Sequence, residues 1–405
     1  MNCDPKYFRS ATNLNGCSVF YKDMRKSFKY RLYPTKAQKV RLGNVLGLCC
    51  NLYNCALEER IRAYRTHGKS LSYYDQANEL PLCVEYNPEL GDVPSQTRQE
   101  VLKRLDKAYK AFFRRLSAKG EKAGFPRFRG RHRYDSFVYP QAGFSLGEDS
   151  RVYLSKIGSV KVKLHRPIEG KIKTCTVKRE VDQWFVVFSC DIVDVTPLEL
   201  DWSNDVGIDM GLTTFAVTSD KEYISNPKFL KQEKKKLAKQ QQSLDRKKRG
   251  SKRRKKHGAL IAKTHRKVSR QREDYQHKES RKLVNRYNVF YMEDLSIKNM
   301  VRDWKYSYGI SDAGWGQFIG MVVYKAEEAG KQTVFVDPRG TTQRCSQCQT
   351  VVPKGVQDRW HCCPHCGFQA DRDFNSALEI KRLGRSLRLD STGKPVGTER
   401  EAVLL

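Results

Sequence analysis

The chain is short of apolar runs, of acid and of paired cysteine. No apolar stretch approaches the roughly 18–20 residues that a membrane-spanning helix needs, and nearly every run is interrupted by charge. The N-terminus lacks an apolar core behind a basic start, so no secretory signal is read there, and no amphipathic anchor is visible. Asp and Glu number 45 against 77 Lys and Arg in 405 residues, a net charge of +32. Such an excess selects a polyanionic partner, nucleic acid before a membrane surface. The cysteine count is odd, at 13, and Cys49, Cys50, Cys55, Cys83, Cys175 and Cys190 are scattered singly. That pattern excludes a disulfide scaffold and points to a reducing compartment. The length predicts about two or three domains.

What is present centres on residues 205–220, which read as two strands folded back on each other. Val206 and Ile208 alternate with small or polar neighbours, Gly211 breaks the run, and Phe215, Ala216 and Val217 resume it. Asp209 lies inside the first strand. A buried ionised carboxylate is costly without a counter-charge, so Asp209 is either a metal ligand at a strand end or a turn aspartate at a frayed one. Two further stretches favour the ligand. Residues 289–293 form an apolar strand ending in Glu293, and the acids Asp371 and Asp373 open a helix-like run to Ile380. Carboxylates at the ends of three elements can meet at one sheet edge. There they hold hard divalent cations such as Mg²⁺, and a pair of such ions can clamp the attacking and leaving oxygens of a phosphodiester.

Taken in order, residues 1–23 are weakly patterned, and Met24 reads as a natural start behind an upstream extension. Phe28, Tyr30 and Leu32 alternate with basic residues as a strand. Thr35 and Gln38 form a capping box for a helix running toward Tyr64. A second helix is predicted over 72–80. A third follows Pro94, capped by Ser95, with a one-signed basic surface suited to phosphates. Residues 124–133 interleave Phe125 and Phe128 with Arg127, Arg129, Arg131 and Arg133, a loop that can stack bases and bridge phosphates. Short alternating runs at 151–154, 160–164, 172–177 and 184–190 predict strands. With the strand at 28–32 they suggest a small β-barrel, into which the helices of 35–118 are inserted. Residues 226–288 are very basic; Leu237, Leu244, Leu260, Ile261, Val268 and Leu283 place them in a helical hairpin broken at Gly250 and Ser251, rather than in a polybasic tail. Residues 311–330 read as one helix closed by Gly330, and 333–336 as a strand. The alternation across 205–384 suits a mixed α/β sheet.

Cys345 and Cys348, then Cys363 and Cys366, form two C-x-x-C knuckles. Four thiolates at this spacing close a tetrahedral Zn²⁺ site with no open position, so the ion is structural. His361, Cys362 and His365 are adjacent spares, and Cys362 competes with Cys363.

In this order the motifs resemble the TnpB family, nucleases encoded by insertion sequences and related to compact type V CRISPR effectors. The resemblance rests on residues 30–34, 124–128, 207–211, 293–295, 311–315, 342–348, 363–367 and the step Asp371, Asp373, Asn375, and it spans about 24–384. Ser376 departs from the alanine common in that motif. The family implies a multidomain α+β fold: a wedge-like oligonucleotide-binding β-barrel (27–34 and 119–198), a helical recognition lobe (35–118), a RuvC-like RNase H-type nuclease domain (199–340 and 368–384) and an inserted zinc ribbon that binds target nucleic acid (341–367). The N-terminal extension (1–26) and the tail (385–405), whose Gly, Pro and Ser content reads as disorder, have no clear counterpart in it. The family implies an RNA-guided DNA endonuclease with Asp209, Glu293 and Asp373 as catalytic ligands of two Mg²⁺ ions, Asp371 being the alternative to Asp373. Its partners would be a guide RNA made from the transposon end, one protein per RNA, and a target DNA duplex carrying a short adjacent motif, in a prokaryotic cytoplasm. Candidate readers of base edges are Asn51, Tyr53, Asn54, Tyr74 and Gln76, each of which could equally be a packing or surface residue. Arg127 and Arg129 are candidates for the backbone. The competing readings are a non-cleaving zinc-ribbon regulator, a DNA-joining transposase and a compact CRISPR effector.

Overall fold

A computed structural model describes residues 8–12, 18–118, 123–193, 200–302, 304–355 and 357–387. The chain divides into two compact units, Met1–Val195 and Thr196–Leu405.

The first unit is built on one antiparallel sheet. Its strands are β1 (Phe8–Thr12), β2 (Ser18–Tyr33), β3 (Ser136–Tyr139), β4 (Phe144–Leu146), β5 (Arg151–Leu154), β6 (Gly158–Lys163), β7 (Lys171–Glu180) and β8 (Gln183–Val193). The order is β3-β7-β8-β2-β6-β5-β4, with β1 paired to β2 off this path. The alternation read in the sequence is the alternation of burial: Phe28, Tyr30 and Leu32 are buried with Val152, Leu154, Val160, Val162, Val186 and Phe188. The strand expected from Met24 begins at Ser18 and pairs with Phe8–Thr12, so part of the supposed extension is an edge of the sheet. In place of the expected barrel, the ladder is an open path; among the described residues no strand pairing joins β3 to β4. Those end strands are nevertheless drawn together. Tyr139 and Phe144 have ring centroids 6.5 Å apart, and the Tyr139 hydroxyl donates to Ser155 O at 2.9 Å.

The helices enter between β2 and β3: α1 (Lys36–His67), α2 (Tyr73–Asn78), α3 (Leu80–Tyr86) and α4 (Ser95–Ser117). The capping box starts α1 as predicted, with Gln38 N donating to Thr35 Oγ1 at 3.3 Å and Thr35 N to Gln38 Oε1 at 3.0 Å. Gly68, at φ 63°, ends it. The expected helix over 72–80 stops at Asn78 and restarts as α3. Pro94, not Ser95, holds the cap position of α4.

The second unit has a five-stranded sheet of β9 (Asp205–Met210), β10 (Thr214–Thr218), β11 (Tyr223–Ser225), β12 (Val289–Glu293) and β13 (Gln332–Val336), in the order β11-β10-β9-β12-β13. β9, β10 and β11 are antiparallel, whereas β12 runs parallel to both β9 and β13. Its helices are α5 (Phe229–Asp245), α6 (Lys252–Arg286), α7 (Ile297–Met300), α8 (Trp304–Ala313), α9 (Trp315–Glu328) and α10 (Arg372–Ser386). A ribbon of β14 (Trp360–Cys362) and β15 (Gln369–Asp371) precedes α10.

Both faces of the sheet are covered. Val206, Ile208, Phe290 and Met292 pack with Leu283 and Val284 of α6 and Phe318 and Val322 of α9. Val289, Tyr291 and Val336 pack with Ile380 of α10. The approach of α10 is close enough to demand glycine: a Cβ on Gly207 would land on Ala377 O, and one on Gly384 on the Tyr291 ring. The basic hairpin breaks where expected, Ser251 capping α6 by accepting from Arg254 N at 3.1 Å. The helix expected over 311–330 is split by Gly314, at φ 69°; Gln276 Nε2 donates to Ala313 O at 2.7 Å and to Gly314 O at 3.1 Å at the break. Arg385 and Ser386, assigned to the tail, are the last residues of α10, and Leu387 is its C-cap; residues 388–405 of that tail lie outside the described residues. No helix among the described residues is long and apolar enough to cross a membrane.

Candidate active site and metal centre

β9 and β12 pair in parallel with Ile208 opposite Met292. Continued by one residue, this register sets Asp209 opposite Glu293, so both carboxylates leave the sheet on the same face at the same level. Asp373, in the first turn of α10, arrives from a third element: a Cβ placed on Gly211 would lie 3.8 Å from Asp373 Oδ2. The three side chains feel one another. Burial first, then the charges of Glu293 and Asp373, push the Asp209 carboxyl well above its ordinary range, against the pull of Arg372. Burial also raises Glu293, against a hydrogen bond from Thr341. Acids held in this state gain from a divalent cation, which removes both the repulsion and the desolvation cost.

The two acids of the last motif separate cleanly. Asp371 Oδ1 accepts from Asp373 N at 3.0 Å and Phe374 N at 3.1 Å, the work of an N-cap. Asp373 meets the Arg372 guanidinium, which donates to Oδ1 at 3.1 Å, and its Oδ2 is directed to the end of β9.

Three residues to which the sequence reading gave no role support this edge, though Asn375 belongs to the motif quoted there. Thr341 Oγ1 donates to Glu293 Oε1 at 2.6 Å. Asn375 is fully buried and bonds the backbone at Arg344 and Ser346. Asp205, at the start of β9, accepts a fork from Arg385 at 2.8 and 2.9 Å and a third bond from Lys381 at 3.1 Å. No local signal gives their partners, because each is distant in sequence.

The ligand atoms of Cys345, Cys348, Cys363 and Cys366 all lie within 4.8 Å of one another. Cys345 Sγ is 3.6 Å from Cys366 Sγ, and Cys348 Sγ is 3.4 Å from Cys363 Sγ. Four sulfurs about 2.3 Å from one ion would stand about 3.8 Å apart, so the cluster could hold a zinc ion. Cys363 belongs to this cluster and Cys362 does not. His361 turns away, with Nδ1 2.5 Å from Lys354 Nζ. Among the described residues, the three carboxylates do not reach the mutual distance that the sulfurs do.

The candidate base readers are not brought together. Tyr53 is 2 % exposed and packs against Tyr134, so it is a core residue. Gln76 is 3 % exposed and fully engaged with Arg60, Ala56 O and Glu59. Asn54 grips the Arg129 backbone, accepting at 2.8 Å and donating at 2.9 Å. All three are engaged within the protein. Asn51, Tyr74, Arg127 and Arg129 are exposed. Arg127 lines a cleft of about 460 Å³ with Arg65, Tyr109, Phe125 and Phe128.

Known proteins match along the whole of this arrangement. A family model described as "Probable transposase" matches residues 189–303, a "Cas12f1-like, TNB domain" model 315–380, and a "Helix-turn-helix domain" model 24–69. A protein of Streptomyces pristinaespiralis, by its name a candidate RNA-guided DNA endonuclease, is 31% identical over 389 residues, 94% of each chain. This chain belongs to the TnpB family. InsQ of Escherichia coli K12, named in the same way, is 29% identical over 398 residues, 92% of this chain and 96% of its own. A solved mini-RNA-guided endonuclease, CRISPR-Cas phi3, aligns at a TM-score of 0.48 and 10% identity over 92% of this chain and 94% of its own. On the TnpB-family chain, the transposase match holds Asp209 and Glu293, and the TNB match holds the four cysteines and Asp373. The stretch matched as helix-turn-helix is here the end of β2 followed by the single long helix α1.

Proposed function

We propose that this chain is an RNA-guided DNA endonuclease whose chemistry is phosphodiester hydrolysis at Asp209, Glu293 and Asp373. The observation that carries the reading is the shared level of Asp209 and Glu293 on adjacent parallel strands, with Asp373 delivered beside them by α10. The strand order and directions of the second unit support an RNase H-type, RuvC-like domain over 199–340 and 368–384. Residues 341–367 would form the zinc ribbon, held by one ion on its four cysteines. The acidic set fits hard cations through its donors, carboxylate oxygens alone, and through the raised Asp209 and Glu293. When bound there, two Mg²⁺ ions supply an activated water and stabilise the leaving 3′-oxygen, giving 5′-phosphate ends. The chain's own residues do the rest. Thr341 fixes one oxygen of Glu293, Arg372 holds one oxygen of Asp373, and Asp371 spends its charge on capping.

The net charge of +32 supports a guide RNA and a DNA duplex as partners. The relatives' names support RNA guidance; sequence would then be read by pairing and the protein would read shape and a short adjacent motif. The open β-sheet of 27–34 and 119–198 would serve as the wedge and 35–118 as the recognition lobe, with Asn51, Tyr74, Arg127 and Arg129 as contacts. A transposon-end origin of the RNA, one protein per RNA, and a cytoplasmic, nucleoid-associated place of action complete the reading.

The test is to purify the chain with its native locus, sequence the bound RNA, and offer DNA matching the guide with Mg²⁺ or EDTA. Discrete RNA and Mg²⁺-dependent, guide-matched cutting that Asp209→Ala, Glu293→Ala and Asp373→Ala each abolish is the expected result. Binding without cutting in Mg²⁺ would refute it and leave a regulator.

A further inference from the structure

The ribbon and the acidic site are joined by side chains that neither the metal chemistry nor the hydrolysis uses directly. Thr341 is 1 % exposed and lies between β13 and the first knuckle. Its hydroxyl, 2.6 Å from Glu293 Oε1, also lies 3.0 Å from Pro338 O. A hydroxyl has one proton, and the charged acceptor is the stronger claimant. The segment that carries Thr341 is tied to the knuckle: Arg344 N donates to Gly340 O at 2.9 Å, and Cys345 N to Thr350 O at 3.0 Å.

The second link is Asn375, two residues beyond Asp373 on α10 and fully buried. Its Nδ2 donates to Arg344 O at 2.8 Å, and its Oδ1 accepts from Ser346 N at 3.0 Å. Those two backbone groups straddle Cys345, a buried member of the metal cluster. A primary amide offers a donor and an acceptor on separate atoms, which lets it span both groups; aspartate would lose the donor and set a charge against a carbonyl. One ligand of the ribbon is therefore bracketed by a side chain of the helix that carries Asp373, and the turn leading to it bonds Glu293.

We propose that Asn375 and Thr341 are positioning residues through which the metal of the ribbon sets the placement of Asp373 and Glu293, an inference that takes the nuclease reading of the acidic site as its premise. Two sites linked in this way are coupled reciprocally: a cation on the carboxylates tightens the ribbon's hold on zinc, and zinc tightens the hold on the cation. Partners that orient metal ligands are worth about 10–100-fold in affinity or activity.

The test uses the full chain with its co-purified guide RNA, each variant first shown to carry wild-type zinc and to bind guide-matched DNA. Zinc release to a colorimetric chelator is timed with and without Mg²⁺, and cleavage is titrated with Mg²⁺. Mg²⁺ slows zinc release from the wild type and has no such effect on Asn375→Ser. Thr341→Val raises the Mg²⁺ needed for half-maximal cutting by about 10-fold or more, and Thr341→Ser, which restores the hydroxyl, restores the wild-type requirement. Wild-type zinc release indifferent to Mg²⁺, or a Thr341→Val enzyme with unchanged Mg²⁺ dependence, overturns the coupling and leaves the nuclease reading standing. A wild-type particle that cuts no matched DNA at any Mg²⁺ concentration overturns both.

Discussion

Asp205 gives the most exacting test of how the acidic site is held. Its side chain is fully buried at the start of β9, and its three cation contacts all come from the last turns of α10. Burial alone would raise its carboxyl; the fork from Arg385 and the bond from Lys381 overcome this and hold it below the ordinary range. Asp205→Asn keeps the shape and removes the charge. Removing one partner of a buried pair costs about 3–5 kcal/mol. Arg385 is half exposed, at 52% of its side chain, so it rehydrates when released, which places the loss near the lower bound, about 3 kcal/mol. For a unit of this size that is a fall of about 6–12 °C in melting temperature. The sign in pH follows from linkage. A depressed carboxyl contributes its stability above the unfolded value of about 4, and loses it as the pH falls through the folded one. The gap between wild type and Asp205→Asn is therefore full at pH 7 and closes in acid. Urea unfolding followed by tryptophan fluorescence reads it, since Trp202, Trp304, Trp315 and Trp360 all lie in the second unit. The exposed pair Lys278–Asp274 is the control, with side chains 67% and 65% accessible, and Asp274→Asn should cost well under about 1 kcal/mol. An Asp205→Asn loss no larger than that, or one that persists unchanged in acid, refutes the clamp.

Three further outcomes follow from the same geometry. Because the Asp209 carboxyl is raised, the folded chain loses stability as the pH climbs through it, so Asp209→Asn should melt higher than wild type at neutral pH in chelator, and Mg²⁺ should stabilise the wild type more; a lower-melting variant would contradict this. Cys363→Ser should lose bound zinc whereas Cys362→Ser keeps it, as measured by metal content per chain. Gly384→Ala should cost about 1–3 kcal/mol in urea unfolding by driving a methyl into the Tyr291 ring, and an unchanged midpoint would show that α10 can shift.

The elements readable in the sequence are those whose cause is local. The capping box at Thr35 and Gln38, the alternation of Phe28, Tyr30 and Leu32, the break at Gly250 and Ser251, and the two cysteine knuckles each carry their physics within a few residues. Gly314 misled for a local reason of another kind. Apolar periodicity runs through it from Ile310 to Phe318, but its left-handed backbone is stabilised by Gln276, from a helix that the pattern does not connect to it. The burial of Tyr53 and Gln76 was not legible, because composition cannot tell a polar or aromatic side chain that faces solvent from one that closes a core. β4, of only three residues, lacks the length that makes alternation visible.

The acidic site divides along the same line. Asp209, Glu293 and Asp373 stand out because a carboxylate at an apolar boundary is locally anomalous. Asp371 is engaged as an N-cap, a role local in space that could have been read from the helix start: the residue before the first turn binds the free amides, and the residue within it is left to point away, which favours Asp373. Thr341 and Asp205 look ordinary in sequence, and Asn375 shows there only as a motif position, because their work is done on partners that only the fold brings near. Each of them holds an element that carries a catalytic candidate. A site that must keep three mutually repelling carboxylates at one edge needs such restraint from outside the triad, since the acids themselves favour separation whenever no cation bridges them.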